Sequence, residues 1–185
     1  MKKFVNEVEN ILTESLTGFG KAHSDIIDVR LSPDFVFRKN KSQNDKVALI
    51  SGGGSGHEPL HGGFVGYGML DAACPGQVFS APTPDQMEAA ANEVHNSKGI
   101  LFIVKNYSGD IMNFEMGADM IEHENQTIIV NDDVAVEDST FTTGRRGVAG
   151  TMIVEKTVGS LAETGASLED CKNFGDHVNK MTASM

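Results

Sequence analysis

The chain has 185 residues, of which 39% are hydrophobic and 22% charged, a composition typical of a globular domain rather than of a disordered chain. Its formal net charge of -11 argues against nucleic acid and membrane surfaces as partners, because both carry negative charge themselves. No apolar run approaches the ~20 residues that a membrane span needs. Polar residues also follow Phe4 and Val5, where a signal peptide would have its apolar core. We therefore expect a cytoplasmic protein that does not associate with membranes.

The first forty residues predict a helix followed by two strands. Apolar residues recur at three- and four-residue intervals from Phe4 to Phe19, which indicates an amphipathic helix that ends near Gly18 to Gly20. Residues 26–31 and 35–37 have the pattern of short strands. The basic, polar stretch 38–44 then predicts a surface loop.

From residue 47 onwards, short apolar runs alternate with helical segments. Four runs predict strands, at residues 47–50, 77–80, 100–104 and 127–130. Helices are predicted at residues 84–98, around 111–120, at 147–163 and from 167 onwards. Thr83 and Gln86 have the spacing of a capping box, with Pro84 at the first helical position. This alternation predicts one α/β domain over residues 1–185, with a mostly parallel or mixed sheet flanked by helices on both faces.

A glycine-rich segment from Ser51 to Pro59 follows the run at 47–50. Four glycines within residues 52–56 allow the backbone to approach a ligand closely and to adopt positive φ. A P-loop, a dinucleotide-binding loop and a nucleophile elbow are all excluded, because His57 or Pro59 stands where each needs lysine or glycine. Spacing alone favours a tight strand-to-helix turn and a cradle for a small molecule equally.

His57 stands at the exit of this segment, where it could meet a polar ligand. An imidazole with an ordinary pKa near 6.5 exchanges protons at working pH. A lone histidine is more often a surface or capping residue, but the position after a glycine cradle raises the odds of a functional role. His61, one turn further on, could share the pocket, although we expect it to support or pack instead.

The second unusual segment runs from Lys105 to Asp110 and follows the run at 100–104. Ligands of open α/β sheets bind at the carboxyl ends of the strands, which is where a lysine, an asparagine and a carboxylate meet here. A structural role is open for Asp110, which could be the N-cap of the following helix. That role explains Lys105 less well, because a charge that ends a buried strand needs a partner or water.

The third segment combines Asp132 and Asp133 with Arg145 and Arg146. Paired aspartates can bind magnesium and paired arginines can bind phosphate. We favour a structural pairing of these charges, because no second carboxylate cluster accompanies them. Cys74 and Cys171 stand alone, which predicts reduced cysteines and neither a disulfide nor a zinc site. We expect no metal site in this chain.

Five segments together resemble the K subunit of dihydroxyacetone kinase. They occur in the family's order and with similar spacing, at residues 51–59, 82–85, 105–110, 132–136 and 144–150. The likeness runs from the first helix to the last. The resemblance implies an N-terminal domain of a K subunit, whose substrate is dihydroxyacetone.

The resemblance also implies roles for individual residues. Gly54, Ser55, Gly56 and His57 match the family's substrate-binding loop, with Lys105 and Asp110 opposite. His57 and Asp110 match its acid and base. In the family a second histidine, in a later domain, holds dihydroxyacetone as a covalent hemiaminal. This sequence stops at Met185 before such a domain, so we expect the chain alone to be inactive and to form no stable adduct.

The partners implied by the resemblance belong to a multi-protein system. A separate L subunit holds ADP or ATP with magnesium, and a multiphosphoryl M subunit passes phosphate to it from phosphoenolpyruvate through the sugar phosphotransferase system. Single-chain relatives use ATP directly. No cofactor is expected in this chain itself, and the full-length form is expected to be a homodimer.

Two other functions remain open from the sequence. Similar proteins sense dihydroxyacetone as co-activators of transcription regulators without phosphorylating it, and the chain could also be a truncated, inactive paralogue. Retention of the Lys105 to Asp110 segment favours the enzyme.

Overall fold

A six-stranded sheet forms the centre of the computed structural model, which describes residues 3–40, 45–137, 139–140, 142 and 144–185. The strands are β1 (Ile27–Arg30), β2 (Phe35–Arg38), β3 (Ala48–Ser55), β4 (Ala72–Val78), β5 (Ile100–Lys105) and β6 (Asn125–Val130). The helices are α1 (Ile11–Ala22), α2 (Pro84–Val94), α3 (Ser108–Met120), α4 (Gly150–Ala162) and α5 (Leu168–Met181). Two 3₁₀ turns, Val8–Asn10 and Gly62–Phe64, precede α1 and β4 respectively.

The strand order is β1-β2-β4-β3-β5-β6. β3 runs parallel to both β4 and β5, and β5 runs parallel to β6. β1 and β2 form an antiparallel addition beside β4. The prediction of a mixed sheet is therefore confirmed, and the carboxyl ends of the four parallel strands meet at one edge.

Helices cover both faces of the sheet, as the sequence predicted. Side chains of β5 alternate between the two cores: Leu101 and Ile103 pack with the face of α1, α4 and α5, whereas Phe102 packs with that of α2 and α3. Phe102 meets Phe114 of α3 edge to face at 5.6 Å between ring centroids. Each such buried apolar side chain contributes about 1.5–3 kcal/mol to folding. The strand ends are thereby fixed from both sides.

The position of the predicted strand at 77–80 is wrong. β4 occupies Ala72–Val78 instead, and its buried residues are all small: Ala72, Ala73, Cys74 and Gly76. Pro75 is partly buried, and Gln77 and Val78 are exposed. Strands normally contain β-branched and aromatic residues. A strand of small residues gave no such signal, although it lies between β2 and β3 in the sheet.

The predicted ends of the first helix and the start of the loop at 38–44 also differ from the structure. Phe4, Val5 and Val8 are exposed, and α1 begins only at Ile11 and continues past Gly18 to Ala22. Arg38, predicted as the start of a surface loop, is the last residue of β2 and only 6% exposed. Residues 41–44 of that loop lie outside the described residues.

Arg38 belongs to a buried network of charges. Its Nη1 lies 2.5 Å from Glu163 Oε1 and 3.2 Å from Asp71 Oδ1. Lys46 Nζ lies 2.5 Å from Asp71 Oδ2, which also accepts the backbone N–H of Leu49 at 2.8 Å. The network joins β2, the segments that lead into β3 and β4, and the end of α4. Among the described helices, none is both long and apolar enough to cross a membrane.

Candidate active site

A cleft of about 450 Å³ opens at the carboxyl ends of β3 and β5. It is lined by Gly54, His57, residues 79–81, Lys105, residues 107–110 and Thr140. The first two segments that the sequence singled out therefore meet in one place, because β3 and β5 are parallel neighbours. Ligands of open α/β sheets bind at this edge.

The glycine-rich segment continues β3 as a strand as far as Ser55, and no α-helix follows it directly. The alternative of a tight strand-to-helix turn is therefore wrong. The glycines permit close packing: a Cβ on Gly52 would lie 2.5 Å from Cys74 O, and one on Gly54 would lie 2.6 Å from Ser80 N. At Gly56, φ is +104°, a conformation that favours glycine.

Of the four predicted residues of this segment, Gly54 and His57 line the cleft. The Ser55 hydroxyl donates to Gly76 O at 2.7 Å, and the Gly56 N–H donates to Glu58 Oε2 at 2.9 Å. Ser55 and Gly56 thus hold the shape of the loop in this structure, and their predicted contact with a substrate remains a prediction.

His57 is oriented by its own loop and by an aromatic ring. Its Nδ1 lies 2.8 Å from Gly54 O, an acceptor, so Nδ1 carries a proton. Nε2 is then the acceptor of the neutral ring, and a donor when the ring is protonated. The Phe79 ring meets the imidazole edge to face at 5.2 Å between centroids. The geometry suits a side chain that exchanges a proton with a bound molecule.

Lys105 is the last residue of β5 and is only 4% exposed. Burial lowers the pKa of its ammonium group, while the negative charges of Asp110 and Glu155 oppose that shift. The ammonium lies 5.7 Å from the centroid of the Tyr107 ring, which also lines the cleft. Lys105 is therefore a buried donor held among two carboxylates and an aromatic face.

Asp110 lies in the first turn of α3 and is 7% exposed. Tyr107 is the N-cap of that helix, so the alternative that Asp110 caps it is wrong. Burial raises the pKa of the Asp110 carboxyl, and nearby Lys105, His61 and His57 oppose the shift. The net result is a carboxylate with an increased affinity for protons, facing a cleft.

A buried group lies behind the glycine segment. His61 Nδ1 is 2.6 Å from Glu155 Oε1 of α4 and 3.0 Å from the Ser51 hydroxyl. The predicted supporting role of His61 agrees with its burial, since it is 4% exposed. No sequence pattern identified Glu155 as a site residue. It lies on the buried face of α4 together with the apolar residues Val154 and Val158.

The third segment forms the structural pairing that we favoured. Asp133 Oδ2 accepts from Arg146 Nη2 at 2.7 Å and from Nε at 2.9 Å, and these bonds lower the pKa of Asp133. Asp132 accepts the backbone N–H groups of Val148 and Gly150 at the start of α4. In the part of the chain that the structure describes, no three histidine, cysteine or acidic side chains are placed to hold a metal ion. Both cysteines are buried and free.

Comparison with known sequences places this chain in a family. Residues 17–185 match the model of the Dak1 domain. The dihydroxyacetone-binding subunit DhaK of a phosphotransferase-dependent dihydroxyacetone kinase from Listeria innocua is 50% identical over 96% of this chain and 55% of its own length. The DhaK subunit of the phosphoenolpyruvate-dependent kinase of Escherichia coli is 46% identical over 100% of this chain and 52% of its own length. The chain thus spans about half the length of these relatives.

Solved structures agree with this assignment. The dihydroxyacetone kinase of C. freundii superposes with a TM-score of 0.87 at 35% identity, over 95% of this chain and 33% of that one. The dihydroxyacetone kinase operon co-activator Dha-DhaQ superposes with a TM-score of 0.76 at 31% identity, over 91% of this chain and 51% of that one. The resemblance that five sequence segments indicated is confirmed, and the chain belongs to the Dak1 domain family.

Proposed function

We propose that this chain binds dihydroxyacetone in the cleft between β3 and β5 and takes part in its phosphorylation to dihydroxyacetone phosphate. Phosphate would come from phosphoenolpyruvate through an L subunit and a phosphotransferase-system M subunit. The observation that carries the proposal is Asp110, a buried carboxylate of raised pKa that faces the cleft beside Lys105 and His57. The relatives named as dihydroxyacetone-binding subunits support dihydroxyacetone as the substrate.

The chemistry of the cleft suits a small, neutral polyol. Lys105 offers N–H donors, Asp110 offers acceptors, and His57 can do either through Nε2. Dihydroxyacetone presents a carbonyl acceptor between two hydroxyl groups, each of which both donates and accepts. The glycines let backbone atoms approach such a ligand closely. A cleft of about 450 Å³ leaves room beside the ligand for a phosphoryl donor.

Proton transfer to Asp110 is the central step that we propose. The substrate hydroxyl oxygen attacks the γ-phosphorus of a nucleotide held by the partner, so that an O–P bond forms and the bond to the nucleoside diphosphate breaks. The hydroxyl proton passes to the Asp110 carboxylate, as in kinases that use an aspartate base. The nucleotide, with magnesium, supplies the phosphoryl group and neutralises its charge. No residue of this chain is assigned to holding it.

His57 and Lys105 prepare the substrate for that step. His57 hydrogen-bonds a substrate oxygen and moves protons while the ketone is captured by a histidine of the later domain, as the family resemblance implies. Lys105 stabilises negative charge on the attacking oxygen and on Asp110. Phosphoenolpyruvate is an intracellular metabolite, so this proposal places the protein in the cytoplasm. The extended chain would act as a homodimer.

A second candidate function is sensing. The structural similarity to the co-activator Dha-DhaQ favours it, because that protein shares the fold at a TM-score of 0.76. A sensor needs the cleft, Lys105 and His57 to bind its ligand. It does not need a base at Asp110, so the two functions separate at this residue.

Replacement of Asp110 by asparagine tests the proposal. The variant Asp110→Asn is made in a chain extended to the length of its relatives, and single-turnover transfer to dihydroxyacetone is followed with the L and M partners present. We expect transfer to fall by about 10²–10⁴-fold, the usual contribution of a positioned base, while binding persists. Glu115→Gln, an exposed charge change on the same helix, is the matched control and should leave transfer unchanged.

Two outcomes would contradict the enzyme proposal. Transfer by Asp110→Asn within a few-fold of the unmodified protein would show that the base lies elsewhere. Binding of dihydroxyacetone by the unmodified protein without any transfer would favour the sensor.

A further inference from the structure

His61 makes two contacts through the same ring nitrogen. Nδ1 lies 2.6 Å from Glu155 Oε1 and 3.0 Å from Ser51 Oγ, while the Ser51 hydroxyl donates its proton to Ile103 O at 2.5 Å. Neither neighbour offers Nδ1 a proton, since a carboxylate accepts and the serine proton is already used. Nδ1 therefore carries the hydrogen, and the neutral ring presents a bare acceptor at Nε2.

Nε2 of His61 is buried and has no hydrogen-bond partner among the residues that the structure describes. A Cβ built on Gly53 would lie 3.4 Å from this nitrogen and 3.3 Å from Lys105 Nζ. The His61 Nε2 acceptor, on the core side, and the Lys105 ammonium donor, on the cleft side, thus lie close to the same point beside the Gly53 α-carbon. A buried acceptor without a partner is rare and costly, which calls for a donor at this point.

We propose that Glu155 and His61 form a positioning pair for Lys105. Glu155 fixes the imidazole in the Nδ1–H form, and Nε2 then accepts from the Lys105 ammonium, directly or through one ordered water. Lys105 lines the cleft, and its ammonium group lies next to this pair. Its consequence for catalysis rests on the proposed function, but the placement of the ammonium group does not.

The Lys105 ammonium lies among groups that favour its charged form. Burial disfavours the charged form of Lys105 and lowers its pKa, whereas Asp110 and Glu155 favour that form. His61 lies between these groups, with Nδ1 bonded to Glu155 and Nε2 near the same point beside Gly53 as the Lys105 ammonium. The order Glu155, His61, Lys105, Asp110 therefore leads from the buried face of α4 to the cleft.

A purely structural role is the competing interpretation. Glu155 is 0% exposed and His61 4% exposed, and the two could simply satisfy each other in the core. In that case Glu155 would still act on the Lys105 charge through space, but the order of the ammonium group would not depend on Glu155. The replacement Glu155→Gln keeps the shape of the side chain and removes its charge, so it separates the two roles.

The test follows the Lys105 ε-methylene signals of the 185-residue chain by ¹³C NMR as a function of pH. In Glu155→Gln we expect the Lys105 titration midpoint to move to lower pH, because a favourable negative charge is lost. We also expect the two ε-proton signals to converge, because the ammonium is less well ordered. Glu169→Gln, an exposed change of equal charge on α5, should leave both features unchanged.

Gly53→Ala provides a second variant if Glu155→Gln does not fold. The three atoms nearest to its methyl group would be at the ends of the Lys105 and His61 side chains, and the methyl group would separate their nitrogens. The Lys105 signals should shift here as well. A separation of the two Lys105 ε-proton signals that remains unchanged in the folded variants overturns the proposal, whatever happens to the titration midpoint or to activity.

A functional arm shows whether the pair matters to the proposed reaction. In the extended chain with its partners, Glu155→Gln should lower transfer at saturating dihydroxyacetone by about 10–100-fold, as supporting residues of active sites do. Shifted Lys105 signals in a protein that does not bind dihydroxyacetone at all would support the positioning pair and refute the proposed function. The two failures are thus distinguishable.

Discussion

Gly54→Ala tests whether the glycine segment exists to let the backbone of β3 approach the chain after β4. The added Cβ would lie 2.6 Å from Ser80 N and 2.9 Å from the Cα and carbonyl carbon of Phe79. These are backbone atoms, which cannot rotate away as a side chain can. The end of β3, or residues 79 and 80, must therefore move. Since Phe79 and Ser80 line the cleft, the binding site should move with them.

The magnitude follows from the size of the clash. Inserting a methyl group into a packed region costs about 1–3 kcal/mol. In a chain of this size each kcal/mol lowers the melting temperature by about 2–4 °C, so we expect a fall of about 2–12 °C for Gly54→Ala. Differential scanning calorimetry measures it, and an NMR titration measures dihydroxyacetone binding, which should weaken in parallel.

Gly18→Ala is the matched control for this substitution. Gly18 lies within α1, and a Cβ built there meets no atom within 4 Å. Alanine is the better helix former by about 1 kcal/mol, so the melting temperature should rise instead. Unchanged stability and binding in Gly54→Ala would refute the argument that close approach requires glycine at this position.

Two further predictions concern buried charge. Arg38→Met removes the arginine partner of the Asp71 and Glu163 carboxylates. Breaking such a buried pair costs about 3 kcal/mol, or about 6–12 °C in melting temperature by calorimetry; a change below about 2 °C would contradict the buried network. Burial raises the pKa of Asp110 above its ordinary 3.8, so its contribution to stability is present at low pH and is lost as the pH rises through the folded-state pKa. Asp110→Asn should consequently be more stable than the unmodified protein at pH 7, with an advantage that vanishes below about pH 4; equal stability of the two proteins across this range would contradict the raised pKa.

Much of the site followed from the sequence because of one property of parallel sheets. The runs that became β3 and β5 were visible as short apolar stretches, and parallel neighbours place their carboxyl ends side by side. His57 and Asp110 could therefore be assigned to one cleft, although they lie 53 positions apart in the chain. The helices on both faces followed from the same alternation of patterns.

Features that depend on distant partners did not follow from the sequence. In the sequence, Arg38 has the pattern of a surface-loop residue. Its burial depends on the ion pair with Glu163, which lies 125 positions further along the chain. His61 meets Glu155 across 94 positions, and no motif links them. β4 lacked a strand signal because its enclosed residues are small. In each case tertiary packing, and not local preference, decided the structure.

The central claim is that the cleft between β3 and β5 binds dihydroxyacetone, and an NMR titration of the isotope-labelled 185-residue chain tests it most directly. We predict saturable shifts of the amide signals of Gly54, His57, Lys105 and Asp110, which line the cleft. His57→Ala should weaken that binding while the remaining spectrum shows an intact fold, because the exposed imidazole fills no core. An absence of shifts up to solubility-limited concentrations of dihydroxyacetone, or saturable shifts clustered away from these residues, would contradict the claim.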